Sequence, residues 1–100
     1  MDFNHFLTSY MPDPSIGSKV HFQNMIDQAI LAEKLDYKTV SIPEHHLVNL
    51  LMMPSPLQMA VKIATLTKDI KISTSVAVLP LHDMRTYAGE VATADILTEG

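Results

Sequence analysis

Glu44, His45 and His46 set a carboxylate beside two imidazoles, the densest group of ionisable chemistry in the chain. Imidazole is suited to proton transfer near neutral pH, and a neighbouring carboxylate can orient it or share its proton. With His82, the same residues offer four donors of the kind zinc accepts. Against a metal, adjacent side chains of an extended segment diverge, and the sequence holds no His-x-His or His-x3-His pair. No metal ligand is therefore assigned. Read alone, Glu-His-His is better accounted for by a hydrogen-bonded corner than by catalysis. His82-Asp83 is a second such pair, but Asp83 is placed to cap the helix that follows, so the pair is read as structural.

The elements that must carry these residues alternate between two periods. Phe3 to Leu7 reads as a first strand, and Thr8 to Lys19 as a loop shaped by Met11-Pro12-Asp13-Pro14 and Gly17. From about Val20 to Leu35 the pattern is helical, with Phe22, Met25, Ile26, Ala29 and Ala32 on one face. Thr39 to Ile42 is β-branched except at Ser41, as a short buried strand should be, and it delivers Glu44, His45 and His46 to its end. Pro43 to Pro54 is then a loop whose Leu47, Val48, Leu50, Leu51, Met52 and Met53 need a covering surface: the domain body, a ligand or a partner. Ser55, Pro56 and Gln58 form a helix start with a capping box, and the helix runs to about Thr67 over Leu57, Ala60, Val61 and Ala64. Ile70 to Val78 reads as a third strand. Met84 to Leu97 reads as a last helix with Ala88, Val91, Ala92 and Asp95 along one stripe. Gly100 is available for the left-handed position at its end.

Composition narrows the classes. With 100 residues, 47% hydrophobic and 18% charged, the chain suits one folded domain. No apolar run approaches the roughly 18 residues that span a bilayer. Met1-Asp2-Phe3-Asn4-His5 lacks the basic start and apolar centre of a signal peptide. Zero cysteines exclude a disulfide or thiolate site, and together these features point to the cytoplasm. The net charge is −4 and the seven lysines and arginines are scattered singly, which argues against a nucleic-acid partner. Of the seven methionines, Met11, Met25, Met52, Met53 and Met59 fall near the Glu-His-His rim, where they fill either a pocket or, more simply, the core.

The order β-α-β-α-β-α, repeating about every 35 residues, has the unit length of a (β/α)8 barrel of about 250 residues or more. Three units cannot close a barrel, and they leave parallel strand edges open. The expectation is an α/β chain forming a single partial domain over residues 1–100, the N-terminal three βα units of a TIM barrel within a larger protein. A small open three-stranded domain is the alternative.

Several segments in succession carry a resemblance: Ala32-Glu33-Lys34-Leu35-Asp36-Tyr37, Glu44-His45-His46, Pro54-Ser55-Pro56-Leu57, Ile63-Ala64-Thr65-Leu66-Thr67, Val78-Leu79-Pro80-Leu81-His82-Asp83, Ala88-Gly89-Glu90-Val91-Ala92 and Asp95-Ile96-Leu97-Thr98-Glu99-Gly100. In this order and spacing they resemble the luciferase-like flavin-dependent monooxygenases. The resemblance implies a barrel that uses reduced FMN, or in some branches F420, at its C-terminal rim. In the monooxygenase branch a separate flavin reductase supplies the reduced FMN, which reacts with O2 to a C4a-peroxide. That peroxide attacks a small organic substrate, here expected to be hydrophobic. The family's phosphate-binding loops lie in later strands, so residues 1–100 are not expected to bind flavin well by themselves.

Residue by residue, the resemblance puts the catalytic histidine on His45, and Glu44 on a neighbouring position that lines the flavin pocket. Thr74 and Ser75 fall where the family has a non-proline cis peptide under the flavin ring, although Ser73 stands where a glycine is usual. For His46 a supporting hydrogen bond is expected. The helices over 55–67 and 84–97 fall where the family commonly forms a homodimer. An F420-dependent oxidoreductase of the same fold, or a non-catalytic flavoprotein or self-associating module, remains as the alternative function.

Overall fold

Thr39, Val40 and Ile42, stiff at the branched β-carbon, favour extended backbone and form the central strand of a three-stranded sheet. The computed structural model describes residues 1–100. The chain runs β1 (Asn4–Phe6), α1 (Ser18–Lys34), β2 (Thr39–Ile42), α2 (Pro56–Ala64), β3 (Lys71–Thr74) and α3 (Met84–Leu97). Short 3-10 turns lie at Pro14–Ile16 and Leu79–Leu81. The strands stand in the order β1-β2-β3 and all pair in parallel, Thr39 lying opposite both Asn4 and Lys71. This is the β-α-β-α-β-α order expected of part of a (β/α)8 barrel.

Side chains alternate across such a sheet, and the two faces differ. Leu7, Val40 and Ile42 are fully buried against Met25, Ile26 and Ala29 of α1 and Met59, Ala60 and Ile63 of α2. On the opposite face, polar groups cross all three strands. Asn4 Nδ2 donates to Ser41 Oγ at 2.9 Å, and Ser41 Oγ meets Ser73 Oγ at 2.8 Å. Asn4, Phe6, Lys71 and Ser73 on that face are exposed.

Turn chemistry sets where the elements stop. After α1, Asp36 takes a left-handed conformation (φ 63°), its N–H bonds Glu33 O, and Tyr37 N–H bonds Ala32 O. That pairing is a Schellman ending, which satisfies the last carbonyls of the helix. Lys38 then enters the sheet through Phe3 O. Glu33, in the last turn of α1, accepts the N–H groups of Lys68, Asp69 and Ile70 on Oε1, at 2.8, 2.8 and 3.1 Å. Partial burial pushes its carboxyl up, but the three N–H groups and the charge of Lys68 outweigh this and hold it below the ordinary range. One side chain thereby pins the α2–β3 connection to α1.

Element ends and covered faces differ in places from the sequence expectation: α1 already begins at Ser18 and α2 ends at Ala64. β3 ends at Thr74 instead of Val78, because Ser75 N–H makes the last bond to β2 (Ile42 O, 2.7 Å) and the chain then leaves the sheet. α2 buries Pro56, Met59, Ala60 and Ile63 more deeply than Leu57, Val61 and Ala64, and Ser55 makes no side-chain cap, so no capping box forms. α3 buries Tyr87 and Ala94, while Ala88, Val91, Ala92 and Asp95 are exposed. In a helix this rich in small residues, spacing alone does not single out the covered face. Glu99 takes the left-handed position (φ 63°) and Gly100 N–H completes the ending at Asp95 O.

Glu33→Gln is expected to lower stability by about 1–3 kcal/mol, because an amide accepts these three N–H groups less well than a carboxylate. Urea titration reads the loss, and faster hydrogen exchange confined to Lys68–Ile70 locates it.

Candidate active site

The C-terminal ends of β1, β2 and β3 lie at one rim, and the loop after β2 brings Glu44 there with its side chain completely removed from solvent. A carboxylate so placed needs donors. His46 Nε2 and His82 Nε2 each lie 2.6 Å from Oε1, and Val78 N–H donates to Oε2 at 2.7 Å. These lengths belong to charge-assisted bonds. Burial alone would raise the Glu44 pKa, but the bonds from His46, Val78 and His82, with the charge interaction of His82, hold it below the ordinary carboxylate range. An ionised carboxylate only accepts, so each histidine presents an Nε2–H to it.

His82 is held from its other side. Its ring stacks on Tyr87 of α3, with centroids 4.1 Å apart and planes 27° apart. Burial, then the charges of Glu44 and Glu90, raise the Tyr87 pKa, so its hydroxyl stays protonated. Asp83 caps α3 by accepting Arg85 N–H at 3.0 Å and also pairs with the Arg85 side chain, which explains why it takes no part in the rim. An open groove of about 1010 Å³ between α2 and α3 reaches His82 and Tyr87.

His45 stands outside this cluster. Its backbone N–H donates to Met53 O at 2.8 Å, the residue is half-buried, and it has no part in the carboxylate cluster. The loop beyond folds back on the segment after β1: Met52 N–H bonds Ser9 O and Met11 N–H bonds Leu50 O. Met53 is buried and Leu51 and Met52 are half-buried, whereas Leu47, Val48 and Leu50 stay exposed. Only part of this apolar loop thus finds cover within the chain. At the end of β3, Thr74 is half-buried and Ser75 is exposed. The non-proline cis peptide joins Ser75 to Val76, one residue beyond the expected Thr74–Ser75.

Comparison with known proteins settles the family. The model of the luciferase-like monooxygenase family matches residues 1–100. The chain belongs to that family. It is 34% identical over 100 residues to an uncharacterised protein of Sinorhizobium fredii. It is 28% identical to the oxygenase component of a flavin-dependent trigonelline monooxygenase of Acinetobacter baylyi. The chain spans 28% of the length of each of these relatives. Among solved structures, it superposes on the oxygenating constituent of 3,6-diketocamphane monooxygenase from Pseudomonas putida, a complex with FMN. The TM-score is 0.92 at 23% identity, over all of this chain and 27% of that one. The monooxygenase RslO1 from Streptomyces bottropensis gives 0.88 at 24% identity, over all of this chain and 31% of that one.

Within this luciferase-like chain, the fold gathers Glu44, His46 and His82 and leaves His45, Thr74 and Ser75 apart from them. The three gathered donors are those a metal would need, with His82 supplying the ligand that adjacent histidines cannot. Two ligands about 2.0–2.1 Å from a tetrahedral zinc would stand roughly 3.3 Å apart. The 2.6 Å separations here are hydrogen-bond geometry instead. The pairing of His82 with Glu44, 38 positions apart, escapes a local reading of the sequence. The signal that could have found it is topological, since parallel neighbours β2 and β3 place their following loops side by side.

The lowered Glu44 pKa has a definite sign. Its contribution to stability is present above the ordinary glutamate range and is lost as pH falls through the lowered folded-state value. Glu33 adds in the same direction. Glu44→Gln is expected to cost about 1–3 kcal/mol at pH 7 and to flatten the loss of stability on acidification. Urea midpoints measured from pH 7 down to pH 3 check both effects; an acid limb as steep as wild type would rule out the assignment.

Proposed function

We propose that the chain forms one wall of a flavin pocket in a flavin-dependent monooxygenase, with His45 as its catalytic residue. The placement of half-buried His45 carries this reading: it stands at the end of β2 in a luciferase-like chain, outside the hydrogen-bonded cluster beside it. The rim suits a planar, partly apolar ring. Ser75 and Val76 are exposed beyond β3, Val76 at 67%, and Thr74 sits half-buried behind them. Thr74 and Ser75 then border the cofactor. Glu44 meets it through its main chain, because its carboxylate is taken up by His46, Val78 and His82.

Bound reduced flavin would supply two electrons and the activation of O2. The residues of this chain contribute orientation and proton handling. His45, with one ring nitrogen able to donate and the other to accept, holds or passes a proton at the reacting face. FMN is favoured as the cofactor by the complex of the diketocamphane enzyme, and delivery from a separate reductase by the naming of the trigonelline enzyme as an oxygenase component. A small hydrophobic organic substrate accords with Leu47, Val48 and Leu50 exposed on the loop after β2. A homodimer through α2 and α3, the helices expected over 55–67 and 84–97, accords with the open groove between them and with exposed Val91 and Leu97.

His45→Ala in the intact protein is expected to lower kcat by about 10²–10⁴-fold, the usual contribution of a placed proton-transfer group. FMN affinity should stay within a few-fold. Stopped-flow turnover and flavin titration separate the two, and equal losses in both would make His45 structural. The absorption spectrum of the cofactor that copurifies distinguishes FMN from F420.

A further inference from the structure

Glu44 is the only buried carboxylate of the chain, and its three donors come from three separate places. His46 lies two residues on, Val78 lies in the segment leaving β3, and His82 lies just before α3 with its ring seated on Tyr87. The two backbones that matter for the proposed pocket are the one bearing His45 and the one bearing Ser75 and Val76. The sheet joins them last at Ser75 N–H to Ile42 O, 2.7 Å. Beyond that bond, the Glu44 carboxylate bridges the β2 rim to the β3–α3 segment.

A carboxylate has acceptor sites enough for all three donors and no hydrogen to oppose them. The isosteric amide does not. With its oxygen toward the imidazoles, its NH2 meets Val78 N–H head-on. With its NH2 toward the imidazoles, both rings must move their proton to Nδ1 in order to accept. The arrangement therefore requires charge and not just shape at position 44.

We infer that Glu44 is a positioning residue: acting through His46, His82 and the Val78 N–H, it sets the place of the neighbouring His45 ring relative to the Ser75–Val76 backbone. This rests on the reading of His45 as the catalytic residue. A displacement of about 1 Å at a reacting group can cost 10²-fold in rate, so a group that never touches the substrate can matter this much.

The test uses Glu44→Gln in the intact protein. In flavin-free, 15N-histidine-labelled protein, His46 and His82 should both show the Nε2–H tautomer. Glu44→Gln should either convert at least one of them to Nδ1–H or speed Val78 amide exchange at least 10-fold. In turnover, Glu44→Gln should lower kcat at least 10-fold with KM within about 3-fold. His45→Ala should then remove much less from Glu44→Gln than from wild type, because a misplaced ring has less left to lose. Unchanged tautomers together with unchanged Val78 exchange, or strictly additive kcat losses, would overturn the inference. If Glu44→Gln does not fold, His82→Gln and His82→Phe carry the test. The Gln variant returns an N–H near the depth of Nε2 and should keep kcat within about 3-fold, whereas the Phe variant keeps the ring on Tyr87 and should lose at least 10-fold. Equal losses in the two refute it. If His45→Ala alone leaves kcat intact, the catalytic reading fails by itself, and the tautomer and exchange results still decide what Glu44 holds.

Discussion

A carboxylate withdrawn entirely from water must be met by donors, and the rim of this chain is shaped by how Glu44 meets that requirement. Its two oxygens accept hydrogen bonds from His46 in the loop after β2, from the main chain beyond β3, and from His82, next to the Asp83 cap of α3. The segment from Ser75 to His82 contains no strand and only one short 3-10 turn, so few backbone bonds of its own define its path. Glu44 supplies that definition from across the sheet, and Tyr87 supplies it from α3 by stacking on His82. The network takes in His46 and His82 and leaves out His45.

The sheet that carries the rim is asymmetric in a way that fits its place in a barrel. Val40 and Ile42 point to the helices and are fully buried, whereas Ser41 points the other way into a line of polar groups with Asn4 and Ser73. In a closed barrel that second face is the interior, filled by side chains from alternate strands. Here Asn4, Phe6, Lys71 and Ser73 on it are exposed. Glu33 plays at the N-terminal end of the strands the part that Glu44 plays at the rim: one carboxylate collects three consecutive N–H groups and fastens a connection that has little regular structure.

Much of this was legible in the sequence because the signals are local. The β-branched run Thr39–Ile42, the helical face of Met25, Ile26, Ala29 and Ala32, and the Asp83 cap each depend on residues within a few positions of one another. The misreadings share a physical cause. The covered faces of α2 and α3 are chosen by what packs against them, and alanine-rich helices permit several choices. The end of β3 depends on where its partner strand runs out of carbonyls, and the β-forming residues continuing to Val78 give no hint of that.

By itself, the sequence determined the order and period of the elements, the parallel sheet, and the position of Glu44, His45 and His46 at the end of β2. Those follow from short-range propensity and spacing. Which of the three residues face one another was decided only by the tertiary structure. His82 lies 38 residues from Glu44, and the two meet because parallel β2 and β3 end side by side. That meeting draws Glu44 and His46 into one network around a buried carboxylate and leaves His45 outside it. Burial and the pairing of charge are properties of the packed chain, and no local pattern of residue types encodes them.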